Sequence, residues 1–233
     1  MMKGSIGILG GMGPLATADL FRKIVLMTDA DCDSGHIRIF IDNNPQIPDR
    51  TAAILQGGED PVPQMLAALR SLELCRPSCI VMPCNTAHYF IDRLREHTSI
   101  PFIHMLDETA KRCAALFPGK TAGVWGTKGT LQSGLYTRAL DAQGVKSILP
   151  DEGGQDTLMD LIYRVKGGET LRGRAPLAGL MEEMYARGAD YFILGCTELP
   201  IVIEQLCPPG DFVDPTAELA RAAIEFCGYS VKK

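Results

Sequence analysis

Two cysteines, Cys84 and Cys196, occupy equivalent places in the two halves of the chain. Each follows an apolar segment and has a threonine close behind it, in "CIVMPCNTAH" (79–88) and "YFILGCTELP" (191–200). Each also precedes a predicted helix, whose N-terminal dipole is expected to lower the pKa of a thiol. Two such thiols suit a reaction in which one thiolate removes a proton from a carbon and the other thiol protonates the opposite face. The alternative is that both are buried cysteines at strand ends.

The bulk composition excludes several other classes of protein. The chain has 233 residues, of which 46% are hydrophobic and 22% charged, as is typical of a globular domain. A net charge of −5 without a basic block argues against a nucleic-acid partner. No apolar run approaches the roughly 20 residues of a membrane span, so no membrane partner is expected. Glycines and Pro14 interrupt the apolar N-terminal stretch, which argues against a signal peptide and favours a cytoplasmic protein.

The other cysteines do not indicate a metal site. There are eight cysteines but no C-x-x-C pair, and Cys75 and Cys79 flank Pro77 without a matching second pair. A zinc site built on cysteines alone normally uses two such pairs, so no metal is predicted. Disulfide frameworks occur mainly in short secreted chains, so none is predicted here.

Apolar, strand-like runs alternate with helix-like segments along the chain. This alternation predicts an α/β fold with parallel sheets flanked by helices. The predicted strands are 5–9, 37–41, 78–82, 100–104, 122–125, 145–149, 190–194 and 211–213. The predicted helices include 17–28, 61–75, 88–97, 106–116, 131–142, 174–187 and 216–227.

An internal repeat relates the two halves. Three segments of the first half match three of the second, in the same order and at a nearly constant offset. The matched pairs are 7–15 with 123–131, 79–88 with 191–200, and 101–114 with 211–223. The repeat predicts two similar lobes related by a pseudo-twofold axis, residues 1–100 with 208–233 and residues 101–207. Because ligands bind at the carboxyl ends of parallel strands, an active-site cleft between the lobes is expected.

The first Gly-rich turn allows a second interpretation. Gly11-x-Gly13-x-x-Ala16 fits the dinucleotide fingerprint, which favours an NAD(P)-dependent oxidoreductase. The acidic residue of that fingerprint lies about 20 residues beyond the glycines, whereas Asp42 lies farther along the chain. The matching turn at 123–131 instead predicts one wall of the cleft, with Met12 close to the substrate.

The segments "GILGGMGPLAT", "NNPQIPDRT", "MPCNTAH" and "GCTELP" together resemble the aspartate/glutamate racemase family, and most of all its aspartate racemase branch. The resemblance implies a homodimeric racemase that needs no pyridoxal phosphate or other cofactor. It also implies that Cys84 and Cys196 are the two acid/base residues. Glutamate racemases carry a histidine where Glu198 stands, which favours aspartate over glutamate as the acidic amino-acid substrate. A glutamate or broader racemase and a non-catalytic amino-acid-binding protein remain alternatives.

The charges of an acidic amino acid suggest the other site residues. Arg50, in a Pro-rich loop, is expected to bind the side-chain carboxylate, a role that the resemblance supports. Lys166 resembles the second basic substrate ligand of the family, and is also in place to end a helix. Amides and hydroxyls near the thiols and in the second Gly-rich turn suit the α-carboxylate. These residues are Asn85, Thr86, Thr197, Thr127 and Thr130.

Two further residues near the cysteines each allow more than one role. Glu198 is expected to be either a helix cap or a partner of the substrate ammonium group. His88 lies four residues after Cys84, which allows either a Cys/His dyad or a ring that points away from the thiol.

Overall fold

A parallel sheet forms the centre of each of the two units into which the chain folds. In the computed structural model, which describes residues 3–173 and 175–232, the first unit extends to Glu108 and resumes at Thr216. The second unit is Thr109–Pro215. Both boundaries lie later than those expected after residues 100 and 207. The reason is that each lobe keeps the strand that follows its cysteine segment.

The strands and helices alternate as the apolar pattern predicts. The strands are β1 (Ser5–Gly10), β2 (Arg38–Asn43), β3 (Cys79–Val81), β4 (Thr121–Gly126), β5 (Lys146–Ile148), β6 (Tyr191–Gly195) and β7 (Phe212–Val213). The helices are α1 (Pro14–Met27), α2 (Arg50–Leu55), α3 (Val62–Glu73), α4 (Ile91–Arg95), α5 (Met105–Leu116), α6 (Lys128–Gln132), α7 (Leu135–Asp141), α8 (Glu152–Lys166), α9 (Ala175–Ala186), α10 (Leu199–Leu206) and α11 (Pro215–Phe226). Short 3-10 helices cover Asp33–Gly35 and Thr86–Phe90.

The two sheets have the same strand order. In the first unit the order is β2-β1-β3, and Phe102 adds a parallel bridge to Ile80 on the outer side of β3. In the second unit the order is β5-β4-β6-β7, and all pairings are parallel. The predicted strand at 100–104 is thus reduced to a single bridge. This topology confirms the α/β fold with parallel sheets and explains the internal repeat.

Each unit has its own hydrophobic core. In the first unit, the faces of α3 and α4 pack with Leu9, Ile80 and Phe102 of the sheet region. In the second, α8, α9 and α10 pack around Trp125 and Phe192. The central strands β1, β3, β4 and β6 are buried on both faces, which is why their sequences are almost continuously apolar.

Several predicted helix bounds need correction. The sequence gives no bounds for α2, α8 and α10, and the predicted helix 131–142 is divided into α6 and α7 by Gly134, whose φ of +69° ends a right-handed helix. The predicted helix 88–97 begins as a 3-10 turn. The first residue of the predicted helix 174–187 lies outside the described residues. None of the helices within residues 3–173 and 175–232 combines the length and apolarity of a transmembrane span.

Candidate active site

The first Gly-rich turn joins β1 to α1. Neighbouring protein atoms pack against it and use its first amide. Gly11 has a φ of +94°, and a Cβ placed there would lie 2.2 Å from the carbonyl oxygen of Asn44. Only glycine therefore fits this position. The Gly11 amide donates a 2.9 Å hydrogen bond to Thr17 Oγ1, so this N–H is already used within the turn. Met12 follows with its side chain buried in the core of the first unit.

The side chain of Arg50 links α2 to this turn by a hydrogen bond. Arg50 is the first residue of that helix, not part of a loop as predicted, because the Asp49 carboxylate caps the helix by accepting from the Ala52 amide at 2.7 Å. The Arg50 guanidinium donates to the carbonyl oxygens of Ile47 and Pro48 at 3.1 and 3.0 Å. It also donates to the Met12 carbonyl at 3.3 Å. Within the described part of the chain Arg50 forms no ion pair, so a fixed positive charge lies beside the turn.

Cys84 lies just beyond β3 in the same unit. Its side chain is buried, and it belongs to the same apolar cluster as Met12. The Cys84 amide donates to the Met82 carbonyl at 2.8 Å, which turns the chain sharply at the strand end. Asn85 and Thr86 follow and are also buried. The next element is a five-residue 3-10 helix and not the predicted α-helix, so the argument from a helix dipole does not apply to Cys84.

His88 fixes the main chain of Cys84 and does not contact its thiol. The Met105 amide donates to His88 Nε2 at 3.1 Å, so Nε2 carries no proton. The proton is therefore on Nδ1, which donates to the Cys84 carbonyl at 2.8 Å. Burial lowers the pKa of His88 to about 3, which keeps the ring neutral. Both ring nitrogens are used by backbone groups, and the geometry contradicts a Cys/His dyad.

Cys196 occupies the matching place in the second unit. Gly126 and Gly195 are partners at the ends of β4 and β6, so Thr127 and Cys196 follow side by side at the carboxyl edge of the sheet. A Cβ at Gly195 would lie 2.5 Å from the Trp125 carbonyl oxygen, which explains the glycine before the cysteine. The strands thus come close enough to place the threonine and the thiol together.

The second Gly-rich turn ends in a threonine that caps the following helix, whereas the first depends on a glycine. Thr127 is the N-cap of α6, and its hydroxyl accepts from the Thr130 amide at 3.2 Å. The two hydroxyl oxygens lie 3.1 Å apart, and both residues are buried. These bonds hold two hydroxyls at the edge where Cys196 lies.

The Cys196 thiol contacts a buried carboxylate. Its Sγ donates to Glu198 Oε2 at 2.9 Å, and the Thr197 hydroxyl donates to the same oxygen at 3.2 Å. Lys166, the last residue of α8, places Nζ 4.0 Å from Glu198 Oε1. Both Cys196 and Glu198 are only 6% exposed. The arrangement is a chain of contacts from the thiol through the carboxylate to the ammonium group.

This environment reverses the predicted direction of the thiol pKa. Burial raises the pKa of Cys196 well above its usual value, and the charge of Glu198 raises it further, while Lys166 lowers it. The sequence predicts a lowered pKa from the helix dipole alone. That prediction is wrong because burial of the thiol, together with a carboxylate at hydrogen-bond distance, outweighs the dipole.

The predicted residues divide between the two units. Those of the first unit gather around the Gly-rich turn and Cys84, and those of the second around Cys196. The first set is Met12, Arg50, Cys84, Asn85 and Thr86, and the second is Thr127, Thr130, Lys166, Cys196 and Thr197. Sequence reasoning considers Glu198 as a helix cap or an ammonium partner, but Glu198 stands at the N-cap of α10 without a side-chain capping bond. It predicts neither the contact of Glu198 with the Cys196 thiol nor that of His88 with the Cys84 carbonyl, although Glu198 stands two residues after a cysteine that ends a strand. Among the described residues, no group of three His, Cys, Asp or Glu side chains is placed to hold a metal ion.

Comparisons with known proteins agree with this architecture. The profile of the Asp/Glu/hydantoin racemase family matches residues 9–223. The Picrophilus torridus aspartate racemase superposes with a TM-score of 0.86 at 32% identity, covering 99% of this chain and 97% of that one. The broad-specificity amino-acid racemase RacX of Bacillus subtilis is 28% identical over 94% of this chain and 96% of its own length. A glutamate racemase of Stutzerimonas stutzeri is 34% identical over 61% of this chain and 55% of its own.

Proposed function

The chain belongs to the Asp/Glu/hydantoin racemase family and is an amino-acid racemase, and we propose that it interconverts L- and D-aspartate without a cofactor. In this proposal Cys84 and Cys196 act on opposite faces of the α-carbon. One removes the α-proton as a thiolate and the other protonates the opposite face as a thiol. The observation that carries the proposal is the equivalent position of the two cysteines, each beyond the same strand of two sheets of equal order. A single-base enzyme needs only one of them.

The protonation state of Cys196 suggests a starting role for that thiol. The raised pKa of Cys196 makes it a thiol at neutral pH, and a thiol is the form that donates a proton. In the direction in which Cys196 donates a proton, Cys84 is the group that removes the α-proton from the other face. In the reverse direction the roles exchange, because each turnover leaves the pair in the opposite protonation state.

Fixed charges and hydroxyls bind the substrate. Arg50 is held by three carbonyl oxygens and carries no described carboxylate partner, so its planar fork is oriented in advance for the side-chain carboxylate. Lys166 is the second cation, shared between Glu198 and the substrate. Donors around the α-carboxylate stabilise the carbanion that forms when the α-proton leaves. In this proposal they are Asn85, Thr86, Thr127, Thr130 and Thr197, with Met12 packed against the substrate.

The relatives favour aspartate as the substrate and support one alternative, a broad range of amino acids. The Picrophilus torridus structure that covers nearly the whole chain is an aspartate racemase, which supports an acidic four-carbon substrate. RacX, which also covers nearly the whole chain, has broad specificity, which supports a wider range of amino acids. A homodimer is part of the proposal, and sedimentation of the purified chain measures it.

A substrate panel tests the proposal and separates these candidates. The purified enzyme is incubated without added cofactor with L-aspartate, L-glutamate and a set of uncharged and basic L-amino acids, and the D-isomers are measured by chiral chromatography. We expect D-aspartate to form fastest, at a rate that added pyridoxal phosphate does not raise. The Cys84→Ala/Cys196→Ala double variant is the control. Comparable rates across the panel would replace aspartate by a broad substrate range, and no D-isomer from any amino acid would overturn the proposal.

A further inference from the structure

We propose that Cys79 and Cys227 are oxidised by a small peroxide to a reversible disulfide, which makes this pair a redox-modification site. The two residues are 148 positions apart in the chain, so no spacing motif links them. The pair also lies apart from the proposed active site, because Cys79 is the first residue of β3 and Cys84 follows the other end of that strand. The inference concerns a reaction of the protein itself and does not depend on racemase activity.

The two thiols are already in contact. Their Sγ atoms lie 3.9 Å apart and form a weak hydrogen bond. Both residues are free cysteines, Cys79 fully buried and Cys227 only 2% exposed. Since a disulfide bond is about 2.05 Å long, the sulfur atoms have about 2 Å left to close, a distance that rotation of the two side chains covers.

The main chains that carry the two thiols are fixed to the same short segment at the start of the first sheet. Cys79 pairs with Ile6 in the parallel ladder of β1 and β3. The Gly4 amide donates a 2.9 Å hydrogen bond to the Cys227 carbonyl. A Cβ on Gly4 would lie 3.2 Å from the Cys227 Cα, so the glycine lets the end of α11 approach the main chain closely. Because both backbones are held in this way, the thiols meet without a search through other conformations.

The segment after Cys227 also holds it in place. Gly228, with a φ of +75°, ends α11 directly after the cysteine. The chain then returns to the end of α1, where Val231 forms an antiparallel bridge with Thr28. A disulfide would join this C-terminal segment covalently to β3. A link across 148 positions restricts the unfolded chain strongly, so it should stabilise the fold.

The contact makes the two thiols chemically unequal. The hydrogen bond from Cys79 lowers the pKa of Cys227, while the same bond and burial raise the pKa of Cys79. Since the thiolate is the reactive form of a cysteine, Cys227 is the thiol that reacts first with an oxidant. Cys79 is then the resolving thiol, which lies next to the oxidised sulfur. Two buried cysteines that only fill space in a core would not need this arrangement.

The reaction with hydrogen peroxide proceeds in two balanced steps. The Cys227 thiolate attacks one peroxide oxygen, an S–O bond forms and the O–O bond breaks, and the hydroxide that leaves takes up the Cys227 proton to give water. The Cys79 sulfur then attacks the Cys227 sulfur, so an S–S bond forms and the S–O bond breaks. The second hydroxide takes up the Cys79 proton. Two thiols are thus oxidised by two electrons in total, and one hydrogen peroxide is reduced to two waters.

Peptide mapping tests the inference in a protein that lacks the proposed catalytic thiols. The Cys84→Ala/Cys196→Ala protein is treated with hydrogen peroxide, its remaining thiols are blocked with N-ethylmaleimide in denaturant, and it is digested and analysed by mass spectrometry without reductant. We expect a linked pair of peptides whose fragments place the bond between Cys79 and Cys227. Dithiothreitol should remove this species. Because neither catalytic thiol is present, failure of the proposed function would leave the result unaffected.

The matched controls use the other cysteines. Adding Cys79→Ala or Cys227→Ala to the same background should abolish the linked species. Cys75 is exposed, and its oxidation reports that the peroxide has reacted with the protein. Oxidised Cys75 without a link between Cys79 and Cys227 would overturn the inference.

The urea midpoint provides a second measurement if either alanine variant does not fold. Peroxide should raise the midpoint of the Cys84→Ala/Cys196→Ala protein by roughly 1 M, and dithiothreitol should reverse the rise. An unchanged midpoint after peroxide treatment would also overturn the inference.

Discussion

The two cysteine-bearing turns lie at the same place in two sheets of equal order, but the protein supports them differently. Cys84 is held through its backbone, because neutral His88 bonds its carbonyl oxygen. Cys196 is held through its thiol, because Glu198 accepts a hydrogen bond from sulfur. The internal repeat thus preserves where a thiol stands, while the residues that follow it decide how it is positioned and protonated.

Removing either thiol should have the largest effect on activity. Cys84→Ala and Cys196→Ala should each lower kcat/KM for aspartate by about 10²- to 10⁴-fold, because each removes one acid/base group. Chiral chromatography measures the loss. Cys75→Ala, at an exposed cysteine outside the site, is the matched control and should retain full activity. Near-normal turnover in either single variant would show that one of the two turns has no catalytic role.

Removing His88 should affect the first turn through stability. His88→Ala leaves the Cys84 carbonyl and the Met105 amide without their buried partner and opens a cavity, which should cost about 3 kcal/mol or more. Urea unfolding measures the change in the free energy of unfolding. His97→Ala, at an exposed histidine, should stay within about 0.5 kcal/mol of the wild type. A similar small effect at both positions would contradict the anchoring role.

The neutral state of His88 also predicts a pH dependence. Its folded pKa of about 3 lies below the unfolded value of about 6.5, so the unfolded chain binds a proton first as the pH falls. The stabilisation is complete above pH about 6.5 and is lost toward pH about 3, at about 1.4 kcal/mol per pH unit. The free energy of unfolding against pH should lose this component in His88→Asn. Parallel curves for the two proteins would refute the assignment.

A change of cation at the first turn should have the smallest of these effects. Arg50→Lys removes the fork that binds three carbonyl oxygens, and an ammonium group cannot bind a carboxylate in the same two-pronged way. We expect KM for aspartate to rise about tenfold, a change of about 1.4 kcal/mol, with a smaller change in kcat. Steady-state kinetics of Arg70→Lys, an exposed arginine on α3, provide the control. An unchanged KM in Arg50→Lys would remove Arg50 from the substrate site.

Much of the fold follows from patterns that the sequence displays. Strands β1, β3, β4 and β6 are buried on both faces, so their sequences are almost continuously apolar. Such apolar runs predict strands of a parallel sheet. The matching segments around Cys84 and Cys196 correctly predict two units of the same topology. The sequence does not fix the bounds of helix α8, because Gly153 and Gly154 weaken the helical signal in its first turn, where the Asp151 cap compensates.

The chemistry of the thiols depends on contacts that spacing does not reveal. A cysteine before a helix suggests a lowered pKa, but burial and the rotamer of Glu198 decide the outcome at Cys196. Likewise, a histidine four residues after Cys84 does not disclose which atom it contacts. The ring bonds the main chain because Met105, distant in sequence, supplies a backbone donor to its other nitrogen. Such long-range partners emerge only from tertiary structure.

The most direct test of the central claim is the fate of the α-hydrogen in D2O. The enzyme is incubated with L-aspartate, and both enantiomers are separated at low conversion and analysed by mass spectrometry and NMR. Two thiols acting on opposite faces predict D-aspartate that carries α-deuterium, while the remaining L-aspartate keeps its α-hydrogen. D-aspartate that retains the original hydrogen, or equal deuteration of both enantiomers at low conversion, would show that a single base serves both faces and would contradict the account.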